Sequence, residues 1–237
     1  MSFETHTIIK NNLIHVLKKI ESYSNQYQRE QGEVQLLAVS KTKPISDLKA
    51  AYENGIRSFG ENYLQDTLPK IEALPQDIAW HFIGAIQSNK TKSIAENFAW
   101  VHTISNSKIA ERLNRQRPEN LTPLNICLQI NINHEPDKAG IDINDSQTLI
   151  QLIQTIEQLP LLKLRGLMCI PEATQDFDLQ CENFRRLKTH FNHLNQTLNL
   201  DMDTLSMGMS GDLEAAIKEG STMVRIGTDI FGKRAQA

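Results

Sequence analysis

The sequence predicts an α/β fold of the (β/α)8 TIM-barrel class, with an extra helix at its N-terminus. Two observations carry that expectation. Short apolar runs recur at residues 34–39, 57–59, 80–83, 100–104, 124–130, 164–170, 204–207 and 223–226, and each is too short to be a helix. Helical patterns fill the gaps. Strand and helix therefore alternate, which implies parallel pairing through right-handed crossovers. Eight such units in about 200 residues match the small end of the barrel class. A doubly wound open sheet shares the alternation and stays the competitor; the count of eight favours the barrel.

In chain order, Ile9, Leu13, Val16, Leu17, Ile20 and Tyr27 repeat at spacings of mostly three and four, which predicts an amphipathic helix over about 5–30, stopped by Gln31-Gly32. The first strand runs into Ser40-Lys41. "AYENG" and "IKEG" read as helix ends closed by Gly55 and Gly220. Leu149, Ile153, Ile156 and Leu159 outline one helix. Phe177, Cys181, Phe184, Leu187, Phe191, Leu194 and Leu198 outline a longer one. No Pro, Gly or Ser linker divides the chain, so a single domain over 1–237 is expected, with the barrel at about 34–234.

Composition narrows the function classes. The chain has 237 residues, 40% hydrophobic and 22% charged, with net charge −3. That supports a real core and gives no general attraction to nucleic acid or acidic membranes. Cys127, Cys169 and Cys181 are scattered, which argues against a disulfide framework and fits a reducing cytoplasm. The N-terminus reads as no signal peptide, and no apolar run reaches the ~20 residues of a membrane span.

In a barrel, chemistry sits where strands end and helices begin. Lys41 lies at such an edge. It is either a solvated lysine closing a strand or an amine held against an apolar floor, where desolvation favours its neutral, nucleophilic form. "SMGMSGDLEAAIKEG" offers Gly208 and Gly211 for close backbone approach, with Ser210 placed to cap a helix near Asp212. Asp212 and Glu214 suit the helix start but repel a nearby anion. Arg225 sits inside an apolar strand, so it needs either a carboxylate at the barrel base or a functional partner. Gly227-Thr228 follow it. Loops after the seventh and eighth barrel strands often build a phosphate site, and here those loops are 208–211 and 227–228. His81 and His102 read as barrel-interior histidines. His190 and His193 lack a third metal ligand, and no metal site is expected. A lysine on the first strand and a phosphate cradle opposite suit an aldehyde that bears a phosphate, and pyridoxal 5′-phosphate (PLP) is a cofactor of that type. Arg225 then faces its pyridine nitrogen.

The stretches "LLAVSKTKP", "FGENYLQD", "WHFIGAIQSNK", "KAGI", "RGLMCIP" and "LSMGMSGDLEAAIKEGSTMVRIGTDIFGKR" closely resemble the pyridoxal phosphate homeostasis protein family, over about residues 32–234. Mild departures are Asp66 and Ile86. The resemblance implies a fold-type III PLP barrel, similar to the barrel domain of bacterial alanine racemase and eukaryotic ornithine decarboxylase. It implies that Lys41 holds PLP as a Schiff base, that Ser210, Gly227 and Thr228 bind the phosphate, that Arg225 faces the ring nitrogen, and that Asn62 and His81 line the pocket. It further implies a cytoplasmic carrier and buffer of vitamin B6 cofactor affecting amino-acid metabolism, handing PLP to apo-enzymes, without turnover. A racemase of this fold adds a β-rich domain with a catalytic tyrosine, and few residues follow the eighth strand here, so a monomeric non-enzyme is expected. The alternatives are a weak PLP-dependent racemase or lyase, a Schiff-base aldolase acting on a phosphosugar, and a phosphate-binding barrel without covalent chemistry. Lys138 and Lys233 are candidate secondary attachment points.

Overall fold

A computed structural model describes residues 3–135 and 138–233. Its strands are β1 (Gln35–Val39), β2 (Ser58–Glu61), β3 (Ala79–Phe82), β4 (Trp100–Ile104), β5 (Leu124–Asn131), β6 (Ile141–Asp142), β7 (Leu162–Cys169), β8 (Thr204–Ser206) and β9 (Met223–Ile226). Every pairing is parallel. Strands β1 to β5 and β7 to β9 form a closed ring of eight. The first and last strands complete it, with Leu37 opposite Arg225 and Ala38 opposite Ile226. That closure decides against the open sheet. The short β6 is an addition that extends β5 beyond the end of β4, with Ile130 opposite Ile141.

Helices follow the strands as α2 (Ile45–Glu53), α3 (Leu64–Ala73), α4 (Thr91–Asn97), α5 (Ser107–Gln116), α6 (Ser146–Glu157), α7 (Phe177–Leu198), α8 (Leu213–Lys218) and α9 (Thr228–Phe231). The apolar spacing of α7 buries Cys181, Phe184, Leu187, Phe191 and Leu194 against the sheet. Asp176 caps its start by accepting from the N–H groups of Asp178 and Leu179. Asn199, at φ 52°, ends it in the left-handed conformation.

The N-terminal helix, α1 (Phe3–Gln26), packs against α2, α8 and α9 through buried Ile9, Leu13, Val16 and Ile20. Leu17, expected on that face, is exposed instead. The helix also stops before 30. Gln28 takes a positive φ, and the chain turns so that Arg29 donates to the carbonyls of Ile217 (2.7 Å) and Ser221 (2.9 Å). Tyr27 donates to Glu214 at 2.8 Å. These tertiary bonds outweigh continued helix. Strand β2 is likewise shifted from 57–59 to Ser58–Glu61. Gly60 and Glu61 disfavour strands locally, but pairing with His81 and Phe82 of β3 holds them extended. The expected barrel end at 234 lies outside the described residues.

Apolar side chains fill the space between strands and helices. The barrel interior is different. Aliphatic layers are usual there, yet His81, His102, Ser206, Gln129 and Arg225 are buried within it.

Candidate functional site

Strand β1 delivers Lys41 to the C-terminal mouth of the barrel. The N–H of Ser40 donates to the Gly60 carbonyl at 3.0 Å, one last rung with β2. The chain then turns sharply. Thr42 sits at φ 64°, which is rare for a β-branched residue, and the Lys43 N–H closes the turn on the Ser40 carbonyl at 3.1 Å. The Lys43 ammonium ties the turn to the last helix by donating to the carbonyls of Phe231 (2.8 Å), Gly232 (3.1 Å) and Lys233 (3.1 Å). Strain at Thr42 is thus held by contacts on both sides, as strained backbone near functional groups generally is.

Lys41 lines a cavity of about 280 Å³. Asn62, Ser210, Arg225, Gly227 and Thr228 line the same cavity, so six of the seven residues named from sequence meet there. Val39, Ile83, Met168 and Ile170 form its apolar wall. Sequence reasoning placed Ile170 at a strand end by the mouth but did not name the other three. The signal for them was alternation, since every second residue of a barrel strand faces inward. Asn62, which also lines a neighbouring cavity beside Tyr63 and Gln87, has its Oδ1 buried without a hydrogen-bond partner.

His81 is not among the cavity-lining residues. It is buried beneath, with its Nδ1 3.0 Å from Nε2 of His102 and its ring stacked on Trp100 at 5.3 Å. Burial holds its pKa down to about 3. His102 lies well below the ordinary value through burial first, then the neighbouring His81 and Arg225. Both rings are neutral.

Arg225 is buried and has no ion-paired carboxylate among the described residues. Its guanidinium donates to the Ser206 carbonyl (2.6 Å), Ser206 Oγ (2.8 Å) and the Cys169 carbonyl (2.9 Å). The carboxylate partner held open by the sequence is therefore replaced by neutral acceptors. The loop before α8 also differs from expectation. Ser210 makes no cap bond to that helix, and Asp212 is the N-cap residue. Asp212 turns back to accept from the Met209 N–H at 2.5 Å, and burial raises its pKa. Glu214 points away to Tyr27. Gly208 has φ 97°, and a Cβ there would lie 2.4 Å from Ala216, so its glycine is a packing requirement. Gly211 lines the cavity, and a Cβ there would meet nothing within 4 Å.

Lys138 pairs with Glu135 at 2.6 Å and does not line the cavity. Among the described residues, no group of three or more His, Cys, Asp or Glu is placed to hold a metal, and no helix is long and apolar enough to cross a membrane.

Comparison with known proteins places this geometry. The family model for the N-terminal domain of alanine racemase matches residues 14–235. The pyridoxal phosphate homeostasis protein of Haemophilus influenzae is 49% identical over 230 residues, 95% of this chain and 96% of that protein. That of Pseudomonas aeruginosa is 50% identical over 227 residues, again covering 95% and 96%. The structure of PipY from Synechococcus elongatus with PLP bound superposes with a TM-score of 0.80 at 34% identity, covering 94% of this chain and all of that one. With likeness of this degree along nearly its whole length, the chain belongs to the alanine racemase N-terminal domain family and, within it, to the pyridoxal phosphate homeostasis proteins.

Proposed function

We propose that the chain binds PLP in the Lys41 cavity and carries and buffers it in the cell, as one barrel domain without efficient turnover of its own. The observation that carries this reading is the convergence of a lysine, an arginine held by neutral acceptors, and a Ser-Gly-Thr cradle from separate strand ends on one small cavity. The residues fit the cofactor. Asn62 Oδ1 is an acceptor waiting for a donor, and the wall open at Gly211 admits a bulky anion. Bound there, PLP supplies an aldehyde for a Schiff base with the Lys41 amine and a phosphate for the opposite wall. Ser210, Gly227 and Thr228 orient the anion. Arg225 would offer a cation at the cavity floor to the ring nitrogen, and Val39, Ile83 and Met168 would shield the ring from water.

A PLP-bound relative at 34% identity and relatives named for PLP homeostasis support the assignment. The non-catalytic part has separate support. Among the described residues, the cavity wall presents Lys41 but no carboxylate, imidazole, phenol or thiol. A racemase needs acid–base groups on both faces of its substrate. The three cysteines are free and buried, which suits a reducing cytoplasm, where apo-enzymes are the natural PLP acceptors. A monomer is the matching oligomeric state, checked by light scattering.

Borohydride treatment of the yellow protein, followed by peptide mapping, is expected to label Lys41. Lys41→Ala is expected to abolish both colour and label. Label on Lys138 or Lys233 alone, or a colourless protein that still traps a phosphosugar, overturns the reading. Racemisation or α-proton exchange of L-amino acids above the rate of free PLP establishes the enzyme alternative instead.

A further inference from the structure

The polar groups beneath the cavity form one unbroken line. Alternation sets their depth, because His81 on β3 precedes by two residues the cavity-lining Ile83 just past that strand, and Arg225 on β9 precedes by two the Gly227 just past that one. Arg225 Nη1 donates to Ser206 Oγ at 2.8 Å. Ser206 Oγ lies 2.9 Å from Nδ1 of His102, and Nε2 of His102 lies 3.0 Å from Nδ1 of His81. Four different strands supply these four residues.

Proton bookkeeping fixes the direction of every bond. A guanidinium only donates, so Ser206 Oγ spends a lone pair on Arg225. The hydroxyl is buried, and among the described residues its one remaining hydrogen-bond neighbour is His102. Its proton therefore goes to His102 Nδ1. That makes His102 the Nε2–H tautomer, which donates to His81 Nδ1, so His81 carries its proton on Nε2 as well. The reverse order strands the Ser206 proton in the barrel without an acceptor, a penalised arrangement.

We propose that Ser206, His102 and His81 are positioning residues forming a one-way hydrogen-bond relay that fixes Arg225 at the cavity floor through neutral groups, with no carboxylate ion-paired to it. A carboxylate in the place of Ser206 would hold the guanidinium as firmly but neutralise it. A free hydroxyl rotor would swing its proton toward the cation. The relay removes that freedom, because His102 Nδ1 is an acceptor and nothing else. Burial keeps both rings neutral and preserves the direction. Trp100, stacked on His81 and capped by Arg165 at 4.6 Å, holds the far end of the line. The consequence for the cofactor rests on the PLP reading above, whereas the direction of the relay does not.

The decisive measurement is nitrogen-15 NMR of the full-length chain labelled at histidine, as purified and after removal of any bound cofactor. Two neutral rings, both protonated at Nε2 and unchanged between pH 7.5 and 5.5, are expected by roughly the burial argument used for His81. A proton on Nδ1 of either ring, or an imidazolium, overturns the proposal. Variants test the consequence. His102→Leu is expected to weaken PLP retention roughly tenfold, about 1.4 kcal/mol, and to shift the absorbance band of bound PLP. His102→Gln, whose amide can accept from Ser206 and donate to His81, is expected to restore most of the retention and the band position. Equal losses in both variants, at unchanged thermal stability, overturn it. Should either variant fail to fold, the wild-type tautomers still decide. A wild-type chain with the expected tautomers but no PLP absorbance leaves the relay standing and defeats the cofactor reading instead.

Discussion

Lys70 shows how a single buried charge can organise the neighbourhood of the site. Its ammonium donates to Glu61 Oε1 (2.7 Å) and to the carbonyl of Ser40 (2.9 Å), the residue before Lys41. Ser40 also donates to Glu61 Oε1 at 2.6 Å, while Glu61 Oε2 has no partner. Burial raises the pKa of Glu61, and the bonds from Lys70 and Ser40 only partly oppose it. Two charges removed from water in this way are stable only together. Lys70→Met is therefore expected to destabilise the fold by about 3–5 kcal/mol in urea titrations. Lys70→Met combined with Glu61→Leu is expected to recover most of that loss. If the double variant is as unstable as the single one, packing at α3 rather than charge is what matters. Glu61 was legible as a strand-end residue beside Asn62, but Lys70 and the pairing were not, because that pairing depends on how α3 packs against the end of β1.

At the scale of elements, the loop between β8 and α8 separates a glycine required by packing from one that lines the cavity with open space beside it. Gly208 combines a positive φ with a Cβ position 2.4 Å from Ala216, and its carbonyl accepts from the Arg225 N–H at 2.9 Å. Gly208→Ala is expected to lower stability by about 3 kcal/mol, combining backbone strain with overpacking. Gly211→Ala meets open space and is expected to change stability by less than about 0.5 kcal/mol, while lowering PLP retention. Melting temperature and absorbance, measured on both variants, separate the two roles. The sequence placed both glycines near a ligand; only the packing of Ala216 in α8 against Gly208 divides them. Helix ends were more legible. Gly55 and Gly220 do follow α2 and α8, at φ 96° and 98°, because a C-terminal glycine is a local device.

For the whole molecule, the buried histidines set a limit on acid stability. In the unfolded chain both titrate near the ordinary 6.5, whereas folded His81 is held to about 3 and His102 well below its ordinary value. Above pH 6.5 both states are neutral and stability is complete. Below it the unfolded chain takes up protons that the folded chain refuses, so stability falls as pH drops toward about 3. The slope approaches about 1.4 kcal/mol per pH unit for each histidine. Between pH 7 and pH 5 a loss of up to about 4 kcal/mol is expected from the pair, read as a falling urea midpoint. His102→Gln is expected to reduce that slope by about half. An unchanged slope assigns the acid sensitivity to other groups that titrate in this window, such as His190, whose pKa is lowered by burial and then by the neighbouring His193 and Arg186.

Local pattern alone determined that eight strands alternate with helices, and that Lys41, Asn62, Ser210, Gly227 and Thr228 fall at strand ends. Periodicity and the position of a residue at an element's edge are properties of a few consecutive residues, so they are written in the chain itself. Ring closure was decided only in three dimensions, by β1 pairing with β9, since it depends on the tilt and stagger accumulated over all the strands. The partners of Arg225 were decided there as well. Ser206, Cys169, His102 and His81 come from four other strands, and a hydrogen bond between residues distant in sequence leaves no spacing to read.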